Sequence, residues 1–294
     1  MKLTNKAGLP EALVNAVRND GYSRGQSDIS VTQLIDSPFI RHLRQQHADE
    51  LTEDVSDRIW SLMGQSIHTI LERANLTGLV EQRLFVEING HKLSGQFDHL
   101  ENGVLTDWKL TSVWAVVYGK TEWGKQLNVL AYLCQLKGLT VNSLQIVAIL
   151  RDWSKSKAGK EDNYPDTQVV TIPITLWTPE RQEEYIKERL GLHFSETVIP
   201  CSDEERWVKP GKFAVMKKGK KSALRLLDSE KEAEAWCMDN ADAGVNITTG
   251  LLEMSNGITI VERSATFNRC ELYCNVNQFC PVWKEYMAKL GLNP

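Results

Sequence analysis

The feature that most constrains this chain is an alternation of apolar and polar residues over positions 81–111, interrupted by two Asn-Gly pairs. A period of two is typical of strands that bury one face, and Asn-Gly is a preferred pair for the two-residue turn of a β-hairpin. Asn89-Gly90 and Asn102-Gly103 therefore predict two successive hairpins. The expected product is a three-strand antiparallel meander covering residues 81–90, 91–100 and 103–111.

Helices and further strands are expected on both sides of this meander. Apolar residues at helical spacing predict the helices, and short apolar runs predict the strands. This order of elements predicts a mixed α/β fold in which helices flank a central mixed sheet. The helices are expected near residues 10–18, at 31–48 with a break at Ser37-Pro38, and at 52–76, 121–137 and 178–197, and the strands at 143–150 and 168–174.

Beyond residue 200 the predicted elements become shorter. They comprise a basic hairpin, a helix that Ser229 caps with Glu232 three residues later, another strand and a cysteine-bearing end. We therefore predict three parts of the chain. These are an N-terminal extension at 1–30, a core at 31–200, and a C-terminal appendage at 201–294 that contains the basic hairpin and the cysteines.

Composition is that of an ordinary globular protein, with 42% hydrophobic and 24% charged residues. The sequence has no apolar run of about 18 residues that could span a membrane, and its start lacks the apolar segment of a signal peptide. We therefore expect no membrane association and a cytoplasmic location. The motifs Gly-x-x-x-x-Gly-Lys-Ser/Thr, Gly-x-Ser-x-Gly and His-Glu-x-x-His are absent, which argues against an ATPase, a serine hydrolase and a zinc protease.

Charge is distributed unevenly, although the net charge is only −4. Residues 206–225 carry eight Lys/Arg and no Asp/Glu. Such a block is either a phosphate-binding surface or a solvated hairpin, and the basic loop 151–160 has the same two interpretations. The candidate DNA contacts are Lys217, Lys218, Lys220 and Lys221 in the block and Arg151 and Lys155 in the loop.

Two carboxylates and an ammonium group are expected to converge on one face of the second hairpin. Side chains alternate along a strand, so Asp107 and Lys109 point to one face and Trp108 to the other, while Asp98 lies across the turn. Such oxygens, with the backbone carbonyl of Trp108, suit Mg²⁺ or Mn²⁺. Lys109 would offset the negative charge that a phosphodiester gains during hydrolysis. The alternative is an amphipathic hairpin whose charges face solvent.

The surroundings of this hairpin resemble the RecB-type branch of the PD-(D/E)XK nuclease superfamily. The matching positions are Gly64 and His68 on an upstream helix, Gly95 and Asp98, Asp107 and Lys109, and Gln126 on the helix that follows. The resemblance spans about residues 31–150. It implies a restriction-endonuclease-like core and a metal-dependent DNA nuclease, with His68 as an additional metal ligand and Gln126 as a catalytic residue.

Two nearby positions leave alternatives open. Glu72 lies one helical turn after His68, where it could orient that ring, contact a second metal ion or simply be solvated. The family often has a tyrosine four residues after the glutamine, but Leu130 stands there in this chain. Tyr132 follows Gln126 by six residues and need not replace that tyrosine.

Three cysteines near the end of the chain are spaced closely enough to be metal ligands. Some RecB-type nucleases carry a [4Fe–4S] cluster on three such cysteines and a fourth that precedes the core in a Cys-Pro pair, where this chain has Ser37-Pro38. A cluster or a zinc ion would need Cys237, Cys201 or a histidine to complete the set. The alternative is that half-buried thiols pack a terminal subdomain. The three candidates are Cys270, Cys274 and Cys280.

The leading hypothesis is a DNA exonuclease that uses Mg²⁺ or Mn²⁺. The resemblance implies a role in DNA recombination, repair or phage DNA metabolism, a helicase, recombinase or single-strand-annealing protein as a partner, and the host cytoplasm if a phage encodes the chain. An endonuclease of the same fold and a non-catalytic DNA-binding protein with a relict fold are the alternatives.

Among the nine tryptophans, Trp123 and Trp153 are candidates for stacking on bases, with a core role as their alternative.

Overall fold

The computed structural model describes residues 2–21, 25–74, 77–240 and 258–292. The chain divides into two compact units, a first unit of residues 1–200 and a second unit of residues 201–294. In chain order the first unit contains β1 (Lys2–Thr4), α1 (Glu11–Arg18), β2 (Ile29–Ser30), α2 (Val31–Ile35), α3 (Pro38–Gln46), β3 (Thr52–Asp54), a 3₁₀ turn (Val55–Arg58), α4 (Ile59–Glu72), β4 (Leu79–Ile88), β5 (His91–Glu101), β6 (Val104–Thr111), α5 (Val113–Val117), α6 (Thr121–Leu136), β7 (Ser143–Leu150), β8 (Val169–Ile174) and α7 (Pro179–His193).

A mixed sheet forms the centre of the first unit. Among the described residues its strand order is β2-β5-β6-β7-β8, and β4 pairs with the other edge of β5. The β4–β5, β5–β6 and β7–β8 pairs are antiparallel, whereas β2–β5 and β6–β7 are parallel. Helices flank this sheet, so the predicted mixed α/β class is confirmed.

The predicted meander is confirmed as β4, β5 and β6. Both turns have the expected left-handed backbone, with φ of 51° at Asn89, 75° at Gly90, 50° at Asn102 and 77° at Gly103. Two consecutive positive φ values define the turn whose twist matches that of antiparallel strands. The turn residues therefore fix the register of both hairpins.

The predicted helix 52–76 is wrong in its first seven residues. Asp54 accepts hydrogen bonds from the backbone N–H of Lys6 at 2.8 Å and of Ser56 at 3.1 Å, and from the Thr4 hydroxyl at 2.8 Å. These bonds hold residues 52–54 against β1 as a parallel strand and start a 3₁₀ turn. The α-helix begins only at Ile59, and residues 75 and 76 lie outside the described residues.

Close packing of α2 and α6 on the sheet depends on one glycine of β5. A Cβ at Gly95 would lie 2.6 Å from Leu130 Cδ2 and 2.7 Å from Val31 Cγ2. Leu130 is only 1% exposed and belongs to the main apolar core. This contact explains why a leucine, and not a larger polar side chain, occupies that position of α6.

The second unit contains smaller elements around its own small core. The helix α9 (Glu230–Asp239) packs on a three-stranded antiparallel sheet in the order β11 (Arg225–Leu227), β10 (Lys212–Lys217) and β12 (Ile258–Arg263). The side chains buried together there are Val215, Ala233, Cys237 and Ile258. Within the described residues of either unit, no helix is both long and apolar enough to cross a bilayer. The elements of the second unit are α8 (Asp203–Arg206), β9 (Val208–Lys209), β10 (Lys212–Lys217), β11 (Arg225–Leu227), α9 (Glu230–Asp239), β12 (Ile258–Arg263), β13 (Thr266–Phe267), α10 (Asn268–Leu272), a 3₁₀ turn (Asn277–Phe279) and α11 (Pro281–Lys289).

Candidate active site

The site lies where β6 diverges from β5. On this edge of β5, β2 pairs with Leu93 and Ser94, and pairing with β6 resumes only at His99. The residue just before that ladder, Asp98, accepts a hydrogen bond from the backbone N–H of Trp108 at 2.7 Å through Oδ2. The N–H and C=O of a strand residue face the same edge, so the Trp108 carbonyl also faces the opening.

Three acidic residues stand in one row across the meander. Extending the β5–β6 register by one pair places Asp98 opposite Asp107, and the β4–β5 register places Glu81 opposite Asp98. Directly opposed side chains of neighbouring strands share a face of the sheet. The row brings together the two predicted carboxylates and adds a third, which the sequence analysis did not name.

Asp107, Lys109 and Gln126 form one network beside this row. The Lys109 ammonium lies 2.8 Å from Asp107 Oδ1 and 2.7 Å from Oδ2, and it donates to Gln126 Oε1 at 3.3 Å. Gln126 Nε2 in turn donates to Asp107 Oδ1 at 3.2 Å. Gln126, from α6, thus holds the lysine and the carboxylate in a fixed relation.

His68 completes the other end of the row. Its Nδ1 lies 3.0 Å from Glu81 Oε1 and 3.6 Å from Asp98 Oδ1. Gln96 holds the second oxygen of Glu81 through a hydrogen bond of 2.7 Å. Within the part of the chain that the structure describes, His68, Glu81 and Asp98 are the one set of three potential ligands whose atoms all lie within 4.8 Å of one another.

The electrostatics of the site reflect buried carboxylates that outnumber the one ammonium group, that of Lys109, beside them. Burial, reinforced by the nearby charge of Asp107, raises the pKa of Asp98 to about 7. The hydrogen bond that His68 donates to Glu81, together with the charge of Asp98, raises the pKa of His68 above its ordinary value despite burial. Burial alone would lower the pKa of Lys109, but the charges of Asp107 and Asp98 outweigh it and raise that pKa. Excess negative charge of this kind favours a bound cation.

A divalent cation fits the oxygens that the row leaves available. Asp107 Oδ2 is buried and, among the described residues, receives no well-directed hydrogen bond, although the Lys109 ammonium is in contact with it. Asp98 accepts the hydrogen bond from the Trp108 N–H through Oδ2, which leaves its Oδ1 on the side of His68 and Glu81. Hard divalent cations prefer such carboxylate oxygens with a small number of additional ligands.

An open cleft of about 630 Å³ surrounds the row and continues beyond it. Arg83 lines this cleft and donates to Gln96 Oε1 at 3.1 Å, which places a positive charge beside the acidic row. Glu72 also lines the cleft, but it is not part of the convergent set of ligands. The cleft is therefore lined mainly by polar and charged side chains.

The two tryptophans named as candidates for base stacking are engaged within the fold. Trp123 is only 7% exposed and belongs to the core, and Trp153 donates its indole N–H to the Pro165 carbonyl at 2.8 Å. Trp60, by contrast, is 55% exposed, and the guanidinium of Arg151 lies 4.0 Å from the centre of its ring. The aromatic surface of the first unit thus includes a residue of α4 that the sequence analysis did not single out.

The other candidate DNA contacts are solvent-exposed. Lys155 is exposed in the loop after β7 in the first unit. The remaining four lie at the turn between β10 and β11 in the second unit, where all are exposed: Lys217, Lys218, Lys220 and Lys221. Their exposure is compatible with a phosphate-binding surface, and the ordinary solvated turn remains the alternative.

Glu81 is the site residue that the sequence analysis missed. The signal that could have found it is the turn at Asn89-Gly90, which fixes Glu81 as the partner of Asp98. Its backbone φ of 49° is unusual for a residue with a long side chain within a strand. Such a conformation costs about 1–3 kcal/mol and is typically found at functional sites.

Comparison with known proteins gives distant structural similarities. No family model and no curated protein matches the chain. Among solved structures, the protein SSO0001 is 15% identical with a TM-score of 0.46, and the match covers 67% of this chain and 90% of that one. A phage-related exonuclease from Haemophilus somnus is 13% identical with a TM-score of 0.26, and the match covers 62% and 77%. A protein named as a candidate exonuclease from Eubacterium rectale is 14% identical with a TM-score of 0.24, and the match covers 62% and 68%.

Proposed function

We propose that this protein is a deoxyribonuclease of the RecB-type PD-(D/E)XK kind that requires Mg²⁺ or Mn²⁺ and acts as an exonuclease. The observation that carries the proposal is the row of Glu81, Asp98 and Asp107, with His68 at one end and Lys109 at the other. If the site served only as a structural salt bridge, one carboxylate would be enough to pair with Lys109. The site instead has three carboxylates and an imidazole around one opening, which is more than a salt bridge requires.

Each side chain of the row has a definite task in this proposal. His68, Glu81, Asp98 and Asp107 would hold the cation, with the Trp108 carbonyl as a backbone ligand. A bound divalent cation would supply Lewis-acid chemistry, which polarises the phosphodiester and makes a water molecule easier to deprotonate. Lys109, oriented by Asp107 and Gln126, would stabilise the negative charge that develops on the phosphoryl oxygens.

DNA is the proposed substrate, and exposed cations of each unit are candidates for contacts with its phosphates. Arg151 stacked on Trp60 offers a charge and an aromatic face together, a combination that binds unpaired nucleotides. The basic turn of the second unit would add phosphate contacts that depend on salt concentration. A cytoplasmic location, with a helicase, recombinase or single-strand-annealing protein as a partner in phage DNA metabolism or recombination, belongs to the same proposal.

The decisive experiment compares wild type with the Lys109→Ala variant on DNA that is labelled at one end. We expect wild type to degrade linear DNA when Mg²⁺ or Mn²⁺ is present, and the variant to be inactive while it still binds Mn²⁺. Closed circular DNA of the same sequence distinguishes an exonuclease from an endonuclease, because an exonuclease needs a free end and leaves the circle intact. Absence of cleavage on linear, circular and single-stranded DNA with either cation would refute the proposal in favour of a DNA-binding protein with a relict fold.

A further inference from the structure

The second unit carries a tryptophan whose backbone and side chain are both unusual. Trp207 ends α8 with a left-handed backbone, at φ 53° and ψ 51°, and it is 41% exposed. The left-handed residue at the end of a helix is most often glycine, because a side chain crowds the backbone in this conformation. A bulky aromatic residue there is an outlier. The need for a turn therefore explains the conformation but does not explain the tryptophan.

The indole of Trp207 belongs to a small aromatic surface. The ring centre of Tyr273, which follows α10, lies 5.4 Å from that of Trp207, and Tyr273 is 66% exposed. The Arg269 guanidinium lies 5.4 Å from the centre of the Trp207 ring and donates a hydrogen bond of 3.2 Å to the Glu205 carbonyl. We call Trp207, Tyr273 and Arg269 the aromatic platform. It presents two exposed rings and a positive charge on one surface.

Other aromatic residues of the second unit pack against one another. Phe267 makes edge-on contacts with Trp283 and Tyr286, with ring centres 6.4 and 4.6 Å apart, and Trp283 is only 7% exposed. The Arg206 guanidinium lies 4.9 Å from the centre of the Phe267 ring. These contacts are of the kind that stabilise a folded unit. The aromatic platform differs, since both of its rings remain exposed and one of them stands on a strained backbone.

The charge around the platform indicates what it binds. Trp207 lies within residues 206–225, which carry eight Lys/Arg and no Asp/Glu. Lys209, two residues after Trp207, is exposed, whereas the acidic side chain of Asp203 on α8 is paired with Arg206. Cations beside exposed aromatic rings suit a single nucleic acid strand, which combines phosphates with unpaired bases. An apolar segment of a partner protein would not use these charges.

We propose that the aromatic platform binds the unpaired bases of a nucleic acid strand by stacking, with Lys209 and Arg269 in contact with its phosphates. The inference rests on the proposed function only in taking nucleic acid as the ligand, and it needs neither a metal ion nor the acidic row. Stacking tolerates any base, because every base has a π face. The platform should therefore prefer single strands, whose bases are accessible, over duplexes, whose bases stack on one another.

The test measures binding of a labelled oligothymidylate to the full chain by fluorescence anisotropy. EDTA is present throughout, so that metal-dependent cleavage cannot occur. Trp207→Gly is the main variant, because glycine relieves the left-handed backbone while it removes the ring. We expect its affinity for the single strand to fall about 5- to 100-fold while its thermal unfolding temperature stays the same or rises. A tryptophan with only a structural role would show lower stability and unchanged affinity.

Further variants separate stacking from other causes. Tyr273→Ala leaves the backbone of α8 unchanged and should weaken binding in the same way, whereas Trp207→Phe keeps a ring and should retain most of the affinity. Leu272→Ala is the matched control, since Leu272 is an apolar neighbour of Tyr273 that is 70% exposed. The same variants are made in a Trp60→Ala background, so that the stacked pair of the first unit cannot mask a loss. An abasic strand of equal length should bind wild type and Trp207→Gly equally.

Several outcomes would overturn the inference. Unchanged affinity in both Trp207→Gly and Tyr273→Ala would exclude the platform, and an equal loss on the abasic strand would exclude stacking. A loss in Leu272→Ala as large as that in Trp207→Gly would indicate an apolar docking surface for a protein instead. Tighter binding of duplex than of single strand would contradict the proposed ligand. None of these outcomes depends on cleavage, so a chain that binds through the platform but cleaves no DNA would refute the proposed function alone.

Discussion

Glu81 shares the imidazole of His68 with Asp98 of the neighbouring strand, and its backbone is held at a φ of 49°. Its carboxylate contacts His68 at 3.0 Å and receives a hydrogen bond from Gln96 at 2.7 Å. Burial would raise the pKa of Glu81, but its hydrogen bonds with His68 and Gln96 lower that pKa below its ordinary value, so the side chain is held as a carboxylate. This arrangement makes Glu81 a candidate ligand of the proposed metal site.

Replacing Glu81 by glutamine tests this role. The amide keeps the size of the side chain but removes a charged ligand, so we expect Mn²⁺ affinity to fall about 10- to 100-fold, the range seen when the groups around a metal are altered. Isothermal titration calorimetry with Mn²⁺ measures the affinity, and Glu72→Gln is the matched control on the rim of the same cleft. Equal Mn²⁺ affinities for wild type and Glu81→Gln would show that Glu81 does not bind the metal ion.

Lys109 is expected to matter for the reaction and not for metal binding. Its ammonium contacts both oxygens of Asp107, yet the convergent ligand set lies on the other side of the row. Lys109→Met should reduce kcat by about 10²- to 10³-fold, as for the loss of one group that stabilises transition-state charge. Lys187, which pairs with Glu183 at 2.8 Å on the exposed side of α7, supplies the control Lys187→Met. A comparable loss of Mn²⁺ binding in Lys109→Met would contradict this division of roles.

The metal-free protein should lose stability as pH rises from about 4 to about 7. Burial raises the pKa of Asp98 to about 7 in the folded state, so ionisation is easier in the unfolded chain. The loss of folding stability is absent at low pH, where Asp98 is protonated in both the folded and the unfolded state. It reaches its full size above about pH 7, where Asp98 is ionised in both states. Three pKa units correspond to about 4 kcal/mol, of which we expect on the order of 2–4 kcal/mol to be realised.

Asp98→Asn isolates this contribution from that of His68, whose raised pKa also gives stability that is lost as pH rises. Urea unfolding in the presence of a chelator should show that the free energy of unfolding of the variant increases relative to that of wild type as pH rises from 4 to 7. Added Mg²⁺ should make wild type the more stable of the two proteins, because only wild type has the charged Asp98 carboxylate to bind the cation. Parallel pH profiles for the two proteins would show that Asp98 does not carry the penalty.

Gly95 is required by packing, and its replacement should destabilise the first unit. The Cβ of alanine would meet Leu130 and Val31 at 2.6 and 2.7 Å, so Gly95→Ala should cost about 1–3 kcal/mol. At Gly64, within α4, a Cβ meets nothing within 4 Å, and Gly64→Ala should be neutral or stabilising by up to about 1 kcal/mol. Chemical denaturation of both variants measures the difference, and similar losses at the two positions would contradict the packing argument.

Local sequence determined the parts of this fold that depend on turns and alternation. Two Asn-Gly pairs set the meander and, through its register, place Asp98 opposite both Asp107 and Glu81. The sequence could not show that Asp54 binds the backbone of Lys6 and so delays the start of α4, because that contact joins distant segments. Tertiary contacts of this kind leave no periodic pattern.

The stacked pair of Trp60 and Arg151 should contribute to binding of single-stranded DNA. Base stacking on an aromatic ring contributes about 1–3 kcal/mol, so Trp60→Ala should weaken binding by about 5- to 100-fold, and Arg151→Ala should also reduce its salt dependence. The control is Arg181→Ala, because Arg181 lies 5.7 Å from the ring centre of Trp177 in a similar pair on α7. Fluorescence anisotropy with a labelled oligonucleotide, in Ca²⁺ to prevent cleavage, measures the affinity. Equal weakening by Arg181→Ala would show a general charge effect, and no weakening by Trp60→Ala would exclude stacking at this site.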